Sequence, residues 1–265
     1  MNLVMNGALG RMGRIILTLA SNDPDIKISG AVDLDKSKNG IDIGEIIGAG
    51  KLGVPLVNDL SHVIPHADVV VDFTIPDAVL KTASVCGKTG TPLVVGTTGL
   101  KPEERENFSQ LVSSIPCVMA PNMSIGVNLL FKLAAETASI LGDEYDVEIS
   151  EVHHRFKKDA PSGTAQRLSE IIAKTLNTPL DEHAVYGRKG ITGERTRNEI
   201  GIHSLRAGDV VGEHTVTFGT IGERIELVHK AHSRDVFSLG VIRAAKFVCN
   251  AKPGLYDMQD VLGLK

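Results

Sequence analysis

Short apolar runs and stretches with helical spacing alternate along the first half of the chain. The apolar runs are rich in β-branched residues, each is closed by Gly, Asp or Thr, and they cover Leu3 to Met5, Ile28 to Val32, Val69 to Phe73 and Leu93 to Val95. Helical spacing is found at Arg14 to Ala20, at Ala78 to Cys86 and, opened by a proline, at Pro102 to Val112. Strands that alternate with helices predict a doubly wound parallel sheet with helices on both faces.

The second half of the chain follows a different pattern. A long strand-like run at Asp146 to Arg155 precedes a helical stretch at Thr164 to Leu176, and a region rich in glycine and β-branched residues extends from Tyr186 to Val228. This order predicts an antiparallel or mixed α+β block. Because Phe237 to Asn250 is helical again, we expect two domains, one made of residues 1–124 and completed by residues 234–265, the other of residues 125–233.

The composition narrows the class of protein. Of the 265 residues, 42% are hydrophobic and 23% are charged, which excludes disordered and fibrous chains. The net charge of -4 and an aromatic content of 4% without tryptophan argue against nucleic acid as a partner.

The cysteines and the amino terminus indicate the cellular compartment in which the protein is expected to reside. Cys86, Cys117 and Cys249 are odd in number and far apart, as expected for reduced core thiols. The segment from Met1 to Met5 lacks the basic lead-in of a secretory signal, and the longest apolar runs fall short of the roughly 18 residues of a membrane helix. We therefore expect a cytoplasmic protein that makes no membrane contact.

A glycine-rich turn follows the first predicted strand. The sequence GALGRMG at residues 7–13 has the spacing G-x-x-G-x-x-G and leads into a helix, whose amino-terminal amides favour anionic phosphates. Asp33 ends the second predicted strand twenty residues after Gly13, where a carboxylate binds ribose hydroxyls. Leu34 follows Asp33 in place of an arginine, which favours NAD, although Lys36 and Lys38 leave NADP open. The turn predicts a dinucleotide site; the alternative is a structural turn that binds no phosphate.

Two other segments stand where sheet strands are predicted to end. They are Asp72-Phe73-Thr74 and Gly96-Thr97-Thr98-Gly99. Because ligands bind at the carboxyl ends of strands in open parallel sheets, both segments are expected to line the nicotinamide half of a cofactor.

The densest group of reactive side chains is the segment EVHHRFKKDAPSGTA at residues 151–165. His153 and His154 are adjacent on a predicted strand, so they point to opposite faces. Cations close to a Pro-Ser-Gly-Thr helix start, with the amides of Gly163 and Thr164, predict binding of a small substrate that carries more than one carboxylate. A histidine and a lysine there are suited to proton transfer, which together with a hydride reduces a polarised double bond.

Other catalytic classes are poorly supported. The segment at residues 229–232 holds two histidines without an acid or cysteine at ligand spacing, so no metal site is expected. The absence of Gly-x-Ser-x-Gly argues against a serine hydrolase.

Seven segments together resemble the family of 4-hydroxy-tetrahydrodipicolinate reductases, also called dihydrodipicolinate reductases. They are GALGRMG, DFT, VVGTTG, APNMSIGVN, EVHHRFKKDAPSGTA, RAGDVVGEHTVTF and GLYDMQDVLGL, and they run from the first turn to the carboxyl terminus. The resemblance implies the lysine and diaminopimelate pathway, a cytoplasmic homotetramer, and a Rossmann domain completed by the carboxyl-terminal helix beside a second domain for substrate binding and tetramerisation.

The resemblance also assigns residues. It implies His153 as catalytic acid or base and Lys157 as proton donor, with His154, Gly163 and Thr164 holding the substrate carboxylates. The cofactor positions that it implies are Gly7, Ala8, Leu9, Gly10, Arg11, Met12, Asp33, Gly96, Thr97, Thr98, Ala120, Pro121, Asn122 and Met123. Some members have an arginine where this chain has Leu34, so of NADH and NADPH we expect NADH to be favoured.

Two rival functions stay open at the level of the sequence. One is another two-domain dehydrogenase acting on an aspartate-derived intermediate, for which a catalytic cysteine or a different lysine setting is expected. The other is a nicotinamide-sensing binding protein without catalysis, which has no need of the cluster around His153.

Overall fold

The computed structural model describes residues 1–265. The chain forms twelve strands, β1 (Asn2–Asn6), β2 (Lys27–Val32), β3 (Leu56–Val57), β4 (Val69–Asp72), β5 (Leu93–Val95), β6 (Pro116–Met119), β7 (Asp146–His153), β8 (Ala184–Tyr186), β9 (Ile200–Arg206), β10 (Gly212–Thr220), β11 (Glu223–Ala231) and β12 (Gly254–Tyr256). The nine α-helices are α1 (Arg11–Ser21), α2 (Ile43–Ile47), α3 (Pro76–Thr89), α4 (Pro102–Leu111), α5 (Ile125–Leu141), α6 (Gly163–Thr175), α7 (Leu180–His183), α8 (Asp235–Val248) and α9 (Met258–Leu262).

The chain divides into two compact units. The first comprises Met1–Ile125 and Asp235–Lys265, and the second comprises Gly126–Arg234. The first unit holds a seven-stranded sheet in the order β12-β6-β5-β4-β1-β2-β3, in which every neighbouring pair is parallel. The doubly wound, Rossmann-like architecture predicted from the alternation of strands and helices is confirmed.

Side-chain alternation along the strands divides the core of the first unit into two layers. In β1, Leu3 and Met5 pack with residues of α1 and α8, whereas Val4 packs with residues of α3 and α4 on the opposite face. Because successive side chains of a strand point to opposite faces, a three-residue apolar run serves both layers.

The second unit holds a mixed five-stranded sheet in the order β11-β10-β7-β9-β8. Strands β7, β9 and β8 are parallel, and β10 is antiparallel to both β7 and β11. Along β7, Val147 and Ile149 lie in a core with residues of α5 and α6, and Glu151 and His153 continue the same face toward the carboxyl end of the strand. The apolar half of this face anchors the strand and the polar half carries reactive groups.

One stretch, Ile125–Glu144, is long and apolar enough to cross a bilayer by length and composition, in contrast to the short apolar runs noted in the sequence. Core helices also have these properties. Val127, Leu130 and Phe131 of α5 are buried in the core of the second unit, which accounts for the apolar character of this helix.

The elements missed by the sequence patterns are short or lie at sheet edges. Strands β3 and β12 have two and three residues, too few to show alternation, and both are edge strands. Helix α1 begins at Arg11, three residues before the apolar pattern starts, because Gly10 is its N-cap.

Candidate active site

The turn between β1 and α1 is made of backbone that leaves no room for side chains. Gly7 has a φ of 84°, in the left-handed region that favours glycine. A Cβ atom at Gly7 would lie 2.8 Å from the carbonyl oxygen of Phe73, and one at Gly13 would lie 2.1 Å from that of Gly7. Glycine at both positions therefore allows α1 to begin close to β1 and to the loop after β4.

The start of α1 is suited to an anion. Gly10 is the N-cap and supplies no side-chain acceptor, so the amides of Arg11 and Met12 have no acceptor within the helix. The turn borders a cavity of about 450 Å³ whose lining includes Gly7, Gly10, Asp33 and Leu34. A glycine cradle, a helix amino terminus and a neighbouring carboxylate fit the pyrophosphate and ribose of a nicotinamide dinucleotide.

Asp33 is held against this turn. One carboxylate oxygen, Oδ2, accepts a hydrogen bond from the backbone amide of Leu9 at 2.9 Å. The side-chain amide of Asn58 donates a hydrogen bond to the backbone carbonyl of Asp33 at 2.8 Å. Leu34, next in the chain, is 76% exposed and presents no charge at the cavity.

The loops that follow β4 and β5 are joined through Asp72. This carboxylate is buried and accepts hydrogen bonds from Asn6 at 2.9 Å, from the hydroxyl of Thr82 at 2.6 Å and from the backbone amide of Thr74 at 2.9 Å. Thr97 donates to the carbonyl of Thr74 at 3.1 Å. The carboxyl ends of β1, β4 and β5 are thereby fixed relative to one another.

The remaining predicted cofactor residues lie at the same edge of the sheet. Gly96 lies against Phe73, because a Cβ atom there would be 2.1 Å from the ring. After β6, the side-chain oxygen Oδ1 of Asn122 accepts a hydrogen bond from the backbone amide of Ser124 at 2.9 Å. Of the others, those buried are Ala8, Thr97, Ala120 and Met123, and those at least partly exposed are Leu9, Arg11, Met12, Thr98 and Pro121.

In the second unit, His153 is paired with a carboxylate. Glu151 and His153 lie two residues apart on β7, and Oε2 of Glu151 lies 2.5 Å from Nδ1 of His153. Burial lowers the pKa of His153 below its ordinary value, the carboxylate opposes this effect, and repulsion from Lys157 and Arg206 adds to it. Near neutral pH His153 is therefore mainly neutral in the free protein.

Glu151 is fully buried and has four hydrogen-bond partners, which are His153, Arg206, Ser162 and the side chain of Ser204. Besides His153, its oxygens accept hydrogen bonds from Nη1 of Arg206 at 2.9 and 3.0 Å and from the amide of Ser162 at 3.2 Å. Burial alone would raise the pKa of Glu151, but the hydrogen bonds from His153, Ser204 and Arg206 together outweigh it and hold the pKa below its ordinary value. Because an ionised carboxylate only accepts, the hydrogen of His153 lies on Nδ1.

Helix α6 begins directly beside this pair. Ser162 is its N-cap, and Oγ of Ser162 accepts a hydrogen bond from the backbone amide of Ala165 at 3.2 Å. The same Oγ lies 3.1 Å from Nε2 of His214. Gly163 is the first helical residue and Thr164 the second. The amino terminus of a helix of 13 residues therefore lies next to His153, in a position to attract a carboxylate.

Lys157 and His154 lie in the segment between β7 and α6. The ammonium of Lys157 is 2.9 Å from both carboxylate oxygens of Asp159, and its side chain is mostly buried. His154 follows the last residue of β7; its Nδ1 is buried without a hydrogen-bond partner, and its ring lies 6.3 Å from that of Phe156. The structure thus groups His153, Lys157 and the start of α6 within one unit.

Three residues of this cluster received no role from the sequence. Glu151 carried a signal, because residues two apart on a strand share a face. Arg206 and His214 lie in the segment RAGDVVGEHTVTF that resembles the family, but the segment gave them no role, since they reach the cluster through strand pairing, Arg206 beside His153 from β9 and His214 opposite Glu151 from β10.

Comparison with known families covers both units. Residues 1–123 match the family described as dihydrodipicolinate reductase, N-terminus, and residues 126–262 match dihydrodipicolinate reductase, C-terminus. The chain is 49% identical to the 4-hydroxy-tetrahydrodipicolinate reductase of Syntrophus aciditrophicus (strain SB), over 99% of this chain and 98% of that relative. It is 52% identical to the enzyme of the same name from Hahella chejuensis, over 98% and 97% of the two chains.

Among solved structures, one reductase of the same family and one enzyme of another kind are similar to this chain. A dipicolinate-bound dihydrodipicolinate reductase from Paenisporosarcina sp. TG-14 has a TM-score of 0.79 at 25% identity and covers 98% of each chain. An amine dehydrogenase from Mycobacterium smegmatis has a TM-score of 0.61 at 15% identity, over 96% of this chain and 94% of that one, a likeness of fold alone.

Proposed function

The chain belongs to the dihydrodipicolinate reductase family, and on that premise we propose that His153 and Lys157 handle the protons of its reaction while the start of α6 holds the substrate. It is an NAD(P)H-dependent oxidoreductase that reduces 4-hydroxy-tetrahydrodipicolinate in the lysine and diaminopimelate pathway. Of the two units, the first binds the cofactor and the second binds the substrate.

The observation that carries the role of His153 is its contact with the buried carboxylate of Glu151. With Nδ1 engaged, the ring has one nitrogen, Nε2, left to exchange a proton with substrate. A bound reduced nicotinamide supplies the hydride. The 4-hydroxyl group of the substrate leaves as water, and a proton from Lys157, whose ammonium is held by Asp159, accompanies the hydride to saturate the double bond that this loss creates.

The substrate is a small dicarboxylate, and the cationic segment of the second unit suits it. One carboxylate is held by the amide of Gly163 and by Thr164 at the start of α6, where the helix dipole favours negative charge. His154 holds the other. His154 directly follows the last residue of β7 and is only partly buried, so its ring is accessible to a ligand beside this end of the strand.

For the cofactor we favour NADH over NADPH. Asp33 is fixed at the cavity by the amide of Leu9, where its charge suits ribose hydroxyls and opposes a 2′-phosphate. Leu34 supplies no compensating cation.

We further propose a cytoplasmic homotetramer assembled through the second unit. Strand β11 is an edge strand of nine residues, and Ile225 and Val228 on it are 40% and 51% exposed. A long edge strand with exposed apolar side chains favours pairing with another copy. Sedimentation of the purified protein measures the assembly, and Val228→Glu should yield a smaller species. A monomeric parent protein would contradict this proposal.

The activity is tested by following oxidation of NADH and NADPH with substrate generated in place from pyruvate and aspartate semialdehyde by the preceding synthase. Oxidation that depends on the synthase, and is faster with NADH, is expected. The control omits the synthase. If the protein binds NADH or NADPH but oxidises neither, the nicotinamide-binding fold is still supported, but the function is then that of a nicotinamide-sensing binding protein without catalysis.

A further inference from the structure

Glu151 lies between two parts of the candidate site. Its oxygen Oε2 contacts Nδ1 of His153 at 2.5 Å, and its oxygen Oε1 accepts the amide of Ser162, the N-cap of α6, at 3.2 Å. A single carboxylate therefore touches both the proton-transfer histidine and the residue that begins the substrate helix.

The surroundings of Glu151 keep this carboxylate in one place. It has no exposed surface, and Arg206 on β9 contacts both of its oxygens. The second guanidinium nitrogen of Arg206 donates to the carbonyl of Asp159 at 2.6 Å, within the segment that carries Lys157. A buried charge that is fully hydrogen-bonded is rigid, and removing it leaves its donors unsatisfied.

Several other charged or titratable groups face His153 and Glu151. Lys157 and Asp159 come from the segment after β7 and Arg206 comes from β9. His214 on β10 has its ring 5.2 Å from that of His153 in an edge contact, and His229 on β11 is paired with His214. Among these neighbours, only Glu151 contacts a nitrogen of the His153 ring.

We propose that Glu151 is a positioning residue, which holds His153 with its hydrogen on Nδ1 so that Nε2 faces substrate. This inference rests on the proton-transfer role of His153 given above. A carboxylate that fixes the tautomer and orientation of a histidine is a general device of proton-transfer sites. Loss of the negative charge also makes protonation of His153 harder, which moves its titration to lower pH.

The variant that tests the proposal is Glu151→Gln, which keeps the size of the side chain and removes the charge. We expect kcat to fall about 10- to 100-fold with a smaller change in KM, and the limb of the pH profile that reports His153 to move to lower pH. Glu151→Asp, which keeps a carboxylate, should recover part of the activity. An unchanged profile in Glu151→Gln would overturn the proposal.

Glu148→Gln is the matched control. Glu148 lies on β7 as well, but its side chain points to the opposite face, where it binds Arg188, Arg195 and His203. The same substitution there removes a partly exposed ion-pair network from the same strand. We expect the pH profile of kcat in Glu148→Gln to match that of the parent protein, even if the melting temperature of the variant is lower.

A double-variant cycle separates positioning from a general loss of structure. If Glu151 acts through His153, adding Glu151→Gln to a His153→Gln protein should lower kcat by less than about threefold. If Glu151→Gln lowers kcat by the same factor in the parent protein and in His153→Gln, then Glu151 has a structural role only. If His153→Gln by itself retains full turnover, the proposed function fails at that step, which is a different result.

The tautomer gives a readout that does not depend on the folding of any Glu151 variant. Nitrogen NMR of histidine-labelled parent protein, with the His153 signal identified by its loss in His153→Gln, should show a neutral ring protonated on Nδ1. A ring protonated on Nε2 would overturn the proposal even if Glu151→Gln could not be purified.

Discussion

The carboxylate of Asp33 accepts the backbone amide of Leu9 at 2.9 Å, which ties the end of β2 to the glycine-rich turn after β1. The acid that is expected to bind ribose and the turn that is expected to bind pyrophosphate are thus held together by a hydrogen bond of the chain itself.

This contact predicts the cofactor preference of an Asp33 variant. Asp33→Asn keeps the acceptor for Leu9 and removes the charge, so the KM for NADH should rise about tenfold, since a hydrogen bond to a charged group contributes roughly 1.5–3 kcal/mol. The KM for NADPH should rise less or fall. Steady-state rates over a range of NADH and NADPH concentrations measure the two KM values and their ratio. Asp35→Asn is the control, because Asp35 binds Ser37 and does not line the cavity; an equal shift there would contradict the role of Asp33.

Separate roles for His153 and Thr164 predict separate kinetic effects. His153→Gln should lower kcat about 10²- to 10⁴-fold with little change in KM, since proton transfer is lost. Thr164→Ala should mainly raise the KM for the dicarboxylate, by about tenfold, as expected for one hydrogen bond to a charged ligand. Rates over a range of substrate concentrations measure both. A His153→Gln protein with weaker binding but normal turnover would exclude the proton-transfer role.

Space beside Nε2 of His153 is limited by Gly212 at the start of β10. A Cβ atom at Gly212 would lie 3.0 Å from Nε2, closer than ordinary van der Waals contact. Gly212→Ala should therefore displace the ring and lower kcat about tenfold, since overpacking typically costs about 1–3 kcal/mol. Gly219→Ala on the same strand is the control, because its Cβ would have a nearest neighbour at 4.0 Å. Equal activity of the two variants would show that the ring has room to move.

His214 predicts a pH dependence of stability. Burial, then repulsion from His153, lowers its pKa from the ordinary value of 6.5 to about 3. A histidine that is harder to charge when folded stabilises the protein fully above about pH 6.5, and this contribution is lost as the pH falls toward about 3.

The variant His214→Gln removes that dependence. Between about pH 6.5 and 5, the free energy of unfolding should fall less steeply than in the parent, by up to about 1.4 kcal/mol per pH unit. Urea unfolding at several pH values measures both slopes. Identical slopes would show that His214 becomes charged in the folded protein as easily as in the unfolded chain.

Much of the fold and part of the site could be predicted from local patterns. The parallel sheet was predictable because Leu3 to Met5 and Leu93 to Val95 are short, β-rich and separated by helical spacing. Strands β3 and β12 were not, since two or three residues at a sheet edge are held by their neighbours rather than by their own pattern.

The sequence by itself determined which side chains share a face and which turn accepts phosphate, because both depend on residues that are neighbours in the chain. Glycine at positions 7, 10 and 13 and the alternation from Val147 to His153 are of this kind. Only the tertiary structure decided that Arg206 is a partner of Glu151. Arg206 is 55 residues away, and its place beside Glu151 depends on the register of β7 with β9, which is set by backbone hydrogen bonds and core packing across the whole sheet.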